Sequence, residues 1–431
     1  MCERKKNILI ISDRSHYFPF LGSRLEVTHN VFYIAVRKKD EDILRRKGKI
    51  FTAYEQLTNT KSEGMAFIDR EESEKTLIFE IRKDEIYNNG LKRDAIIEHG
   101  INYSTNIARI IETNDIDLVV TQNDSVGHSA IAIAVCRKLN IKTAIFEDGL
   151  FRPDTIVFDN KGVNINNSCP TEPSFYEAIS PDMPKFEEFV QKEKAKAGTS
   201  RANILPLLRY IFSTARHPRK FLNWHSEIRI LIDEWMHKNG KLDNYIFLPL
   251  QVRTDSQILC HSSFKDMVEV TNTCLTALEN YNKRSHKPLA LVIKEHPRDA
   301  HLAELIKKTN KSSVKIHFLR QADTKQLIAN SRMVITVNST VGIDGLLYHK
   351  PVITLGLAFY SIEGIADKGD NCGRLDLLIE KAIKQRIRGE LVDKFLFYLK
   401  FQYLTDGYLD NPDQESIKPV LARIKTILEE K

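Results

Sequence analysis

Glu147-Asp148-Gly149, Lys294-Glu295-His296-Pro297 and Asn338-Ser339-Thr340 are the stretches of this 431-residue chain whose residue types and positions could do chemistry. Each closes a short apolar run of strand character (KTAIF, LALVI, MVITV), and in open α/β sheets ligands collect outside the carboxyl ends of the strands. The adjacent carboxylates of Glu147 and Asp148 can have their pKa values driven apart, leaving one suited to base or nucleophile work. Gly149 would let the backbone turn sharply behind them, although an Asp-Gly pair is by itself a good turn. Pro297 fixes its own φ and biases His296 toward an extended conformation, so the imidazole meets a phosphate oxygen at a defined angle, with Lys294 and Arg298 adding charge. Asn338-Ser339-Thr340 precedes a helical pattern, where Ser or Thr is a good cap, outward N–H groups attract phosphate, and Gly342 would permit close approach. Carboxylates, a His-Pro corner and a hydroxyl-rich helix start together read as a nucleotide-sugar site.

Other polar groupings carry less. Asp-x-Asp occurs at Asp40/Asp42 and Asp115/Asp117, the first inside a charged run and the second ahead of its strand. Both are read as solvated surface, and no essential metal or cofactor is expected. Six cysteines show no CxxC spacing, so neither a zinc site nor a disulfide framework is indicated. The net charge of +7 suits an anionic ligand or membrane surface, and no nucleic-acid motif accompanies it. No apolar run is long enough to span a bilayer, and the start lacks a signal-peptide core, so a cytoplasmic location is expected.

The elements that must position these residues alternate strand and helix. Asn7 to Ser12 and Asn30 to Val36 read as strands, Arg37 to Lys49 as a solvated helix, Leu118 to Thr121 as a strand, Ser129 to Leu139 as a helix and Lys142 to Phe146 as the next strand. A second series runs from strand Tyr245 to Leu250 to strand Pro351 to Leu355 through strands Leu289 to Lys294, Val314 to Leu319 and Met333 to Val337. Its helices lie near Phe264 to Asn280, then Ala300 to Lys308, Thr324 to Ala329 and Val341 to Tyr348. Two such halves predict an α/β protein with two Rossmann-like domains facing across a cleft. The expected boundaries are 1–180 for the first domain, 181–240 for a helical linker, 241–374 for the second domain and 375–431 for helices packing back on the first. Between Glu193 and Glu227 the chain has no acidic residue but carries Lys194, Lys196, Arg201, Arg209, Arg216, Arg219 and Lys220 among aromatics. That stretch suits either an interdomain helix or an anionic membrane surface.

With those residues in place, the chain resembles the capsular polysaccharide Kdo transferases of the KpsS/KpsC type. The matching text is Glu147 to Pro153, Gly162-Val163-Asn164, Ser168, FLPLQVRTDSQI from Phe247 to Ile258, Lys294 to Pro297, Val337 to Gly342, Lys350 to Val352 and Leu355-Gly356. One copy of each motif makes the single-module, KpsS-like member the nearer match. The trio is also similar to that of bacterial sialyltransferases. The resemblance implies a GT-B fold without metal, CMP-Kdo as donor and a phosphatidylglycerol-type lipid, or its Kdo-extended form, as acceptor. It implies transfer with retention by a cytoplasmic protein peripheral on the inner face of the inner membrane, working beside other capsule biosynthesis or export proteins. On this footing Asp148 is the main catalytic carboxylate and Glu147 its support. Lys294, Glu295, His296, Asn338, Ser339 and Thr340 hold CMP, while Arg152, Asn164, Gln251, Arg253, Asp255 and Gln257 serve the sugar or acceptor, Arg152 or Arg253 pairing with the sugar carboxylate. A CMP-sialic acid-dependent transferase and a non-catalytic assembly or export partner are the alternatives.

Overall fold

A computed structural model describes residues 4–61, 65–196, 224–369, 373–385, 387–410 and 412–430. The chain divides into two compact units, Met1–Cys169 with Leu399–Lys431, and Pro170–Tyr398. In the first, β1 (Asn7–Ser12), β2 (Asn30–Ala35), β3 (Phe51–Ala53), β4 (Leu118–Gln122), β5 (Lys142–Asp148), β6 (Thr155–Asp159) and β13 (Thr405–Asp406) form one sheet in the order β13-β6-β5-β4-β1-β2-β3. Strands β1 to β5 pair in parallel, while β6 and β13 are antiparallel to their neighbours. Alternation along β1 sends Ile8 and Ile10 into one core with Val120 and Phe146, and Leu9 and Ile11 into another with Val119 and Ile131. A sheet buried on both faces explains the continuous apolar runs.

The second unit holds β7 (Tyr245–Pro249), β8 (Ala290–Lys294), β9 (Ile316–Leu319), β10 (Met333–Thr336), β11 (Val352–Thr354) and β12 (Asp367–Lys368), ordered β12-β11-β10-β7-β8-β9 and parallel throughout. Both sheets carry the 3-2-1-4-5-6 order, the first with antiparallel outer strands. These are two Rossmann-like domains of GT-B composition, with switch points at β1/β4 and β7/β10. The expected strands and helices of the second series are all present.

Several expectations differ from the structure. β5 runs on through Asp148 because β6, unmarked in the sequence, pairs with Glu147 and Asp148. The end of the chain was expected to act as one segment from 375, but helices Leu375–Lys384 and Gly389–Tyr398 belong to the second unit, and only residues from Leu399 belong to the first. There the helix Lys418–Glu429 buries Val420, Ile424 and Ile427, and the Lys142 ammonium donates to the Ile427 carbonyl at 2.7 Å. Of the basic stretch, residues 197–223 lie outside the described residues.

The Asp-x-Asp pairs are not uniformly solvated surface. Asp40 is fully buried, accepting from the Ser15 hydroxyl at 2.5 Å and, as the third residue of helix Lys38–Arg46 reaching back to the N-cap, from the Arg37 N–H at 3.0 Å. Asp117 accepts from the Asn7 N–H at 2.8 Å and pairs with Arg4 and Lys6. Despite partial burial, these contacts hold its carboxyl below the usual range. The exposed members are Asp42 and Asp115. Each pair therefore has one member fixing a helix or strand start, where local hydrogen-bond demand outweighs solvation.

Candidate functional site

In the first unit the β4 ladder ends at Gln122↔Phe146, and β5 continues two residues beside β6, carrying the acidic pair past the parallel strands. Successive strand residues face opposite ways, so the two carboxylates have different surroundings. Glu147 accepts from the Asp148 N–H at 2.9 Å and the Asn123 amide at 2.7 Å. Burial pushes its pKa up, the hydrogen bonds oppose that, and the Asp148 charge adds to it. Asp148 accepts from the Arg14 guanidinium at 2.7 Å. Arg14 also donates to the Gln122 side chain at 2.9 Å and to Asp410 at 2.8 Å. Gly149 has no positive φ. Its reason is steric, since a Cβ there would lie 2.0 Å from the Thr155 carbonyl oxygen on β6.

Arg152 is exposed, its Nε–H donating to the Gly149 carbonyl at 3.1 Å. Asn164 opens the short turn Asn164–Asn166 at φ 54°. Asp124 anchors that turn by accepting from the Val163 N–H at 2.9 Å and the Asn166 amide at 3.0 Å. Nearby, the buried Asp159 accepts from the Ser168 hydroxyl at 2.7 Å and the Tyr403 hydroxyl at 3.0 Å. Ser168 thus fixes the loop rather than facing a ligand.

In the second unit, β8 ends at Lys294, which is buried, donates to the Glu295 carbonyl at 3.2 Å and has its pKa lowered by burial. Both carboxylate oxygens of Glu295 are engaged, by the Leu302 N–H at 2.7 Å and the Arg320 Nε–H at 2.9 Å. Arg320 in turn forks onto Glu227, both contacts 3.0 Å. Glu295 therefore ties β8 to its neighbours. His296 accepts at Nδ1 from the Arg298 N–H at 3.1 Å, which leaves Nε2 as its donor. Burial first, and then the Arg298 charge, lower its pKa, which favours the neutral imidazole.

At the β7/β10 switch point, Gln251 and Asn338 are buried against each other, with the Gln251 amide donating to Asn338 Oδ1 at 3.1 Å and the Asn338 N–H to Gln251 Oε1 at 3.2 Å. The Asn338 amide also donates to the Gln257 carbonyl at 2.8 Å. The Ser339 hydroxyl accepts from the Val341 N–H at 3.2 Å, whereas Thr340 makes no side-chain cap. Gly342 does not leave room for a ligand, because Tyr360 fills the space and a Cβ would lie 2.3 Å from its hydroxyl oxygen. That hydroxyl donates to the Ser339 carbonyl at 2.5 Å. Arg253 sits among Asp299 and Glu304, each 3.5 Å away, and against His301. Asp255 caps helix Ser256–Leu259 by accepting from the Gln257 N–H at 3.0 Å. Gln257 Nε2 is buried without a partner.

The second unit thus brings Lys294, His296, Ser339, Thr340 and Gln257 to the carboxyl ends of its strands, while Glu295, Asn338, Gln251 and Arg253 are committed to internal bonds. Sequence reasoning missed Arg14 and Asn123. Both follow strands β1 and β4, and knowing that these strands are adjacent would have singled them out. Among the described residues no group of three or more His, Cys, Asp or Glu side chains is arranged to hold a metal ion.

A family model described as "Capsule polysaccharide biosynthesis protein" matches residues 118–376. The chain is 29% identical over 281 residues to the capsule polysaccharide export protein KpsS of Escherichia coli, covering 59% of this chain and 71% of that protein. It is 24% identical over 292 residues to the capsule polysaccharide modification protein LipB of Neisseria meningitidis serogroup B, covering 60% and 68%. Among solved structures, the β-Kdo 2,4 transferase KpsC of Thermosulfurimonas dismutans aligns with TM-score 0.44 and 15% identity over 73% of this chain and 87% of that one.

Proposed function

The chain belongs to the capsule polysaccharide biosynthesis protein family, and from that premise we propose that it is a glycosyltransferase moving Kdo from CMP-Kdo to a phosphatidylglycerol-type lipid or its Kdo-extended form. The observation that carries this reading is the corner at the end of β8, where a buried Lys294 and His296, its Nδ1 accepting from the Arg298 N–H so that Nε2 is left to donate, stand at a Rossmann strand end. A phosphate linked to a sugar is the anion such a pair suits, because a charge and a directed hydrogen bond act on adjacent oxygens. The hydroxyls of Ser339 and Thr340 would add contacts, and the Gln257 amide is an unused donor.

In this reading the bond between the Kdo anomeric carbon and the CMP phosphate oxygen breaks, CMP keeping the electron pair, and an acceptor hydroxyl forms the new bond. Its proton passes to a carboxylate. Asp148 takes the catalytic role and Glu147 holds the strand end, without an essential metal; retention of the β anomer requires either that a carboxylate first displaces CMP to form a covalent Kdo ester that the acceptor hydroxyl then displaces, or that the acceptor attacks the face CMP leaves. The working place is the cytoplasmic face of the inner membrane; among the described residues no helix is long and apolar enough to cross a membrane. With CMP-Kdo and a lipid acceptor, the purified protein should release CMP in the presence of EDTA. Turnover of UDP- or GDP-sugars instead, or strict dependence on added Mg²⁺, would contradict it. CMP release only from CMP-sialic acid would favour the sialyltransferase alternative, and no release from any donor would favour an export partner, as one relative's name suggests.

A further inference from the structure

Arg14 stands in the first loop after β1, at the β1/β4 switch point where ligands of such sheets bind. Its side chain is 21% exposed, and three of its nitrogens are engaged. Two partners are well seated, the buried Gln122 and the partly buried Asp148, so the guanidinium plane is fixed before any ligand arrives. The third is Asp410, whose side chain is 97% exposed. Exposed ion pairs are worth little in water, since solvation and side-chain entropy offset the attraction. A fixed guanidinium with one edge covered by a weakly held carboxylate is a receptor for another carboxylate. The arginines expected to do this differ from it: Arg253 is enclosed by Asp299, Glu304 and His301, and Arg152 bonds the Gly149 carbonyl.

We infer that Arg14 binds the carboxylate of a sugar acid through the edge that Asp410 occupies, making it a specificity-determining residue beside Asp148. The exchange of Asp410 for the ligand carboxylate leaves the local charge unchanged. Both Arg14 and Asp410 lie outside residues 118–376, so the family match does not supply them. The choice of ligand rests on the reading above that the saccharide is Kdo, and the experiment separates the two.

Titration calorimetry with the methyl β-glycoside of Kdo and with its neutral carboxyl methyl ester reads the site directly. The acid is expected to bind at least about tenfold more tightly than the ester, as one charge-assisted contact would give. Arg14→Gln should bring the acid to the ester's level, Arg14→Lys should restore part of the difference, and Asp410→Ala should tighten the acid alone. Equal binding of acid and ester by the wild type, no binding of either, equal losses for both in Arg14→Gln, or unchanged acid binding in Asp410→Ala overturns the inference. The Asp410 variant keeps the test decisive should Arg14→Gln melt early. CMP release from CMP-Kdo is measured in parallel. Discrimination without CMP release upholds the Arg14 site and removes the donor assignment, whereas CMP release without discrimination does the reverse.

Discussion

Glu147 and Asp148 are neighbours in sequence with opposite environments, and the difference predicts separable effects. Asp148→Asn should leave CMP binding near wild type and lower kcat by about 10²-fold or more if Asp148 transfers a proton. Retention of most activity would move the role to Glu147. His296→Ala should weaken CMP binding by about 1.5–3 kcal/mol, the value of a hydrogen bond to a charged group, and slow turnover as well. A CMP affinity unchanged in that variant would remove His296 from the donor site. Glu147 makes a second test through pH. Its raised folded pKa means that the folded state holds more protons than the unfolded state between the ordinary value of 4.5 and the raised one. Stability from this group is therefore present below pH 4.5 and lost as pH rises through the folded value. Denaturant midpoints of the wild type should show that fall, and Glu147→Gln should lack it. An identical pH dependence in both proteins would mean that the carboxyl is not desolvated as described.

At the scale of elements, the β5–β6 hairpin determines where the acidic pair stands. Gly149 lets β5 and β6 approach, because any Cβ would meet the Thr155 backbone, which cannot swing aside like a side-chain tip. Gly149→Ala should destabilise the first unit by about 1–3 kcal/mol, the usual scale of overpacking, and reduce kcat through displacement of Asp148. A melting temperature and kcat equal to wild type would show that the hairpin adapts. In the second unit the Gln251–Asn338 pair does comparable work, joining the ends of β7 and β10 with buried hydrogen bonds that leave little conformational choice at the switch point.

Across the whole molecule, the family match begins at β4, the central strand of the first sheet, and so omits β1 to β3, although β1 is an interior strand between β4 and β2. The segment from Leu399 supplies β13 and a helix to that same unit. The lipid acceptor proposed above would require the protein to work close to headgroups, and the acid-free stretch between Glu193 and Glu227, which suits either an interdomain helix or an anionic surface, is the segment to test for attachment. Each basic side chain near an anionic leaflet contributes about 1 kcal/mol, so attachment should be reversible and salt-sensitive. Co-sedimentation with phosphatidylglycerol liposomes should fade as salt rises. Changing Arg209, Arg216, Arg219 and Lys220 to Gln should release the protein while sparing transfer to a soluble acceptor analogue. Unchanged liposome binding by that variant would assign attachment to another surface.

The sequence by itself determined the alternation of strands and helices, because buried parallel strands need continuous apolar runs and the punctuating polar residues mark where they stop. It also located the three motifs at strand ends. Which motif residues remain available to a ligand was decided only by tertiary contacts. Glu295 meets Arg320 and Leu302, Asn338 meets Gln251, and Gly342 meets Tyr360, partners from 7 to 87 residues apart that no local pattern announces. Likewise, β6 is as long as β4, but its antiparallel pairing with Glu147 and Asp148, which sets the reach of β5, is a tertiary fact. Arg14 was invisible because its meaning lies in strand order, and strand order follows from how the faces of the sheet are covered, a property of the packed unit rather than of any segment.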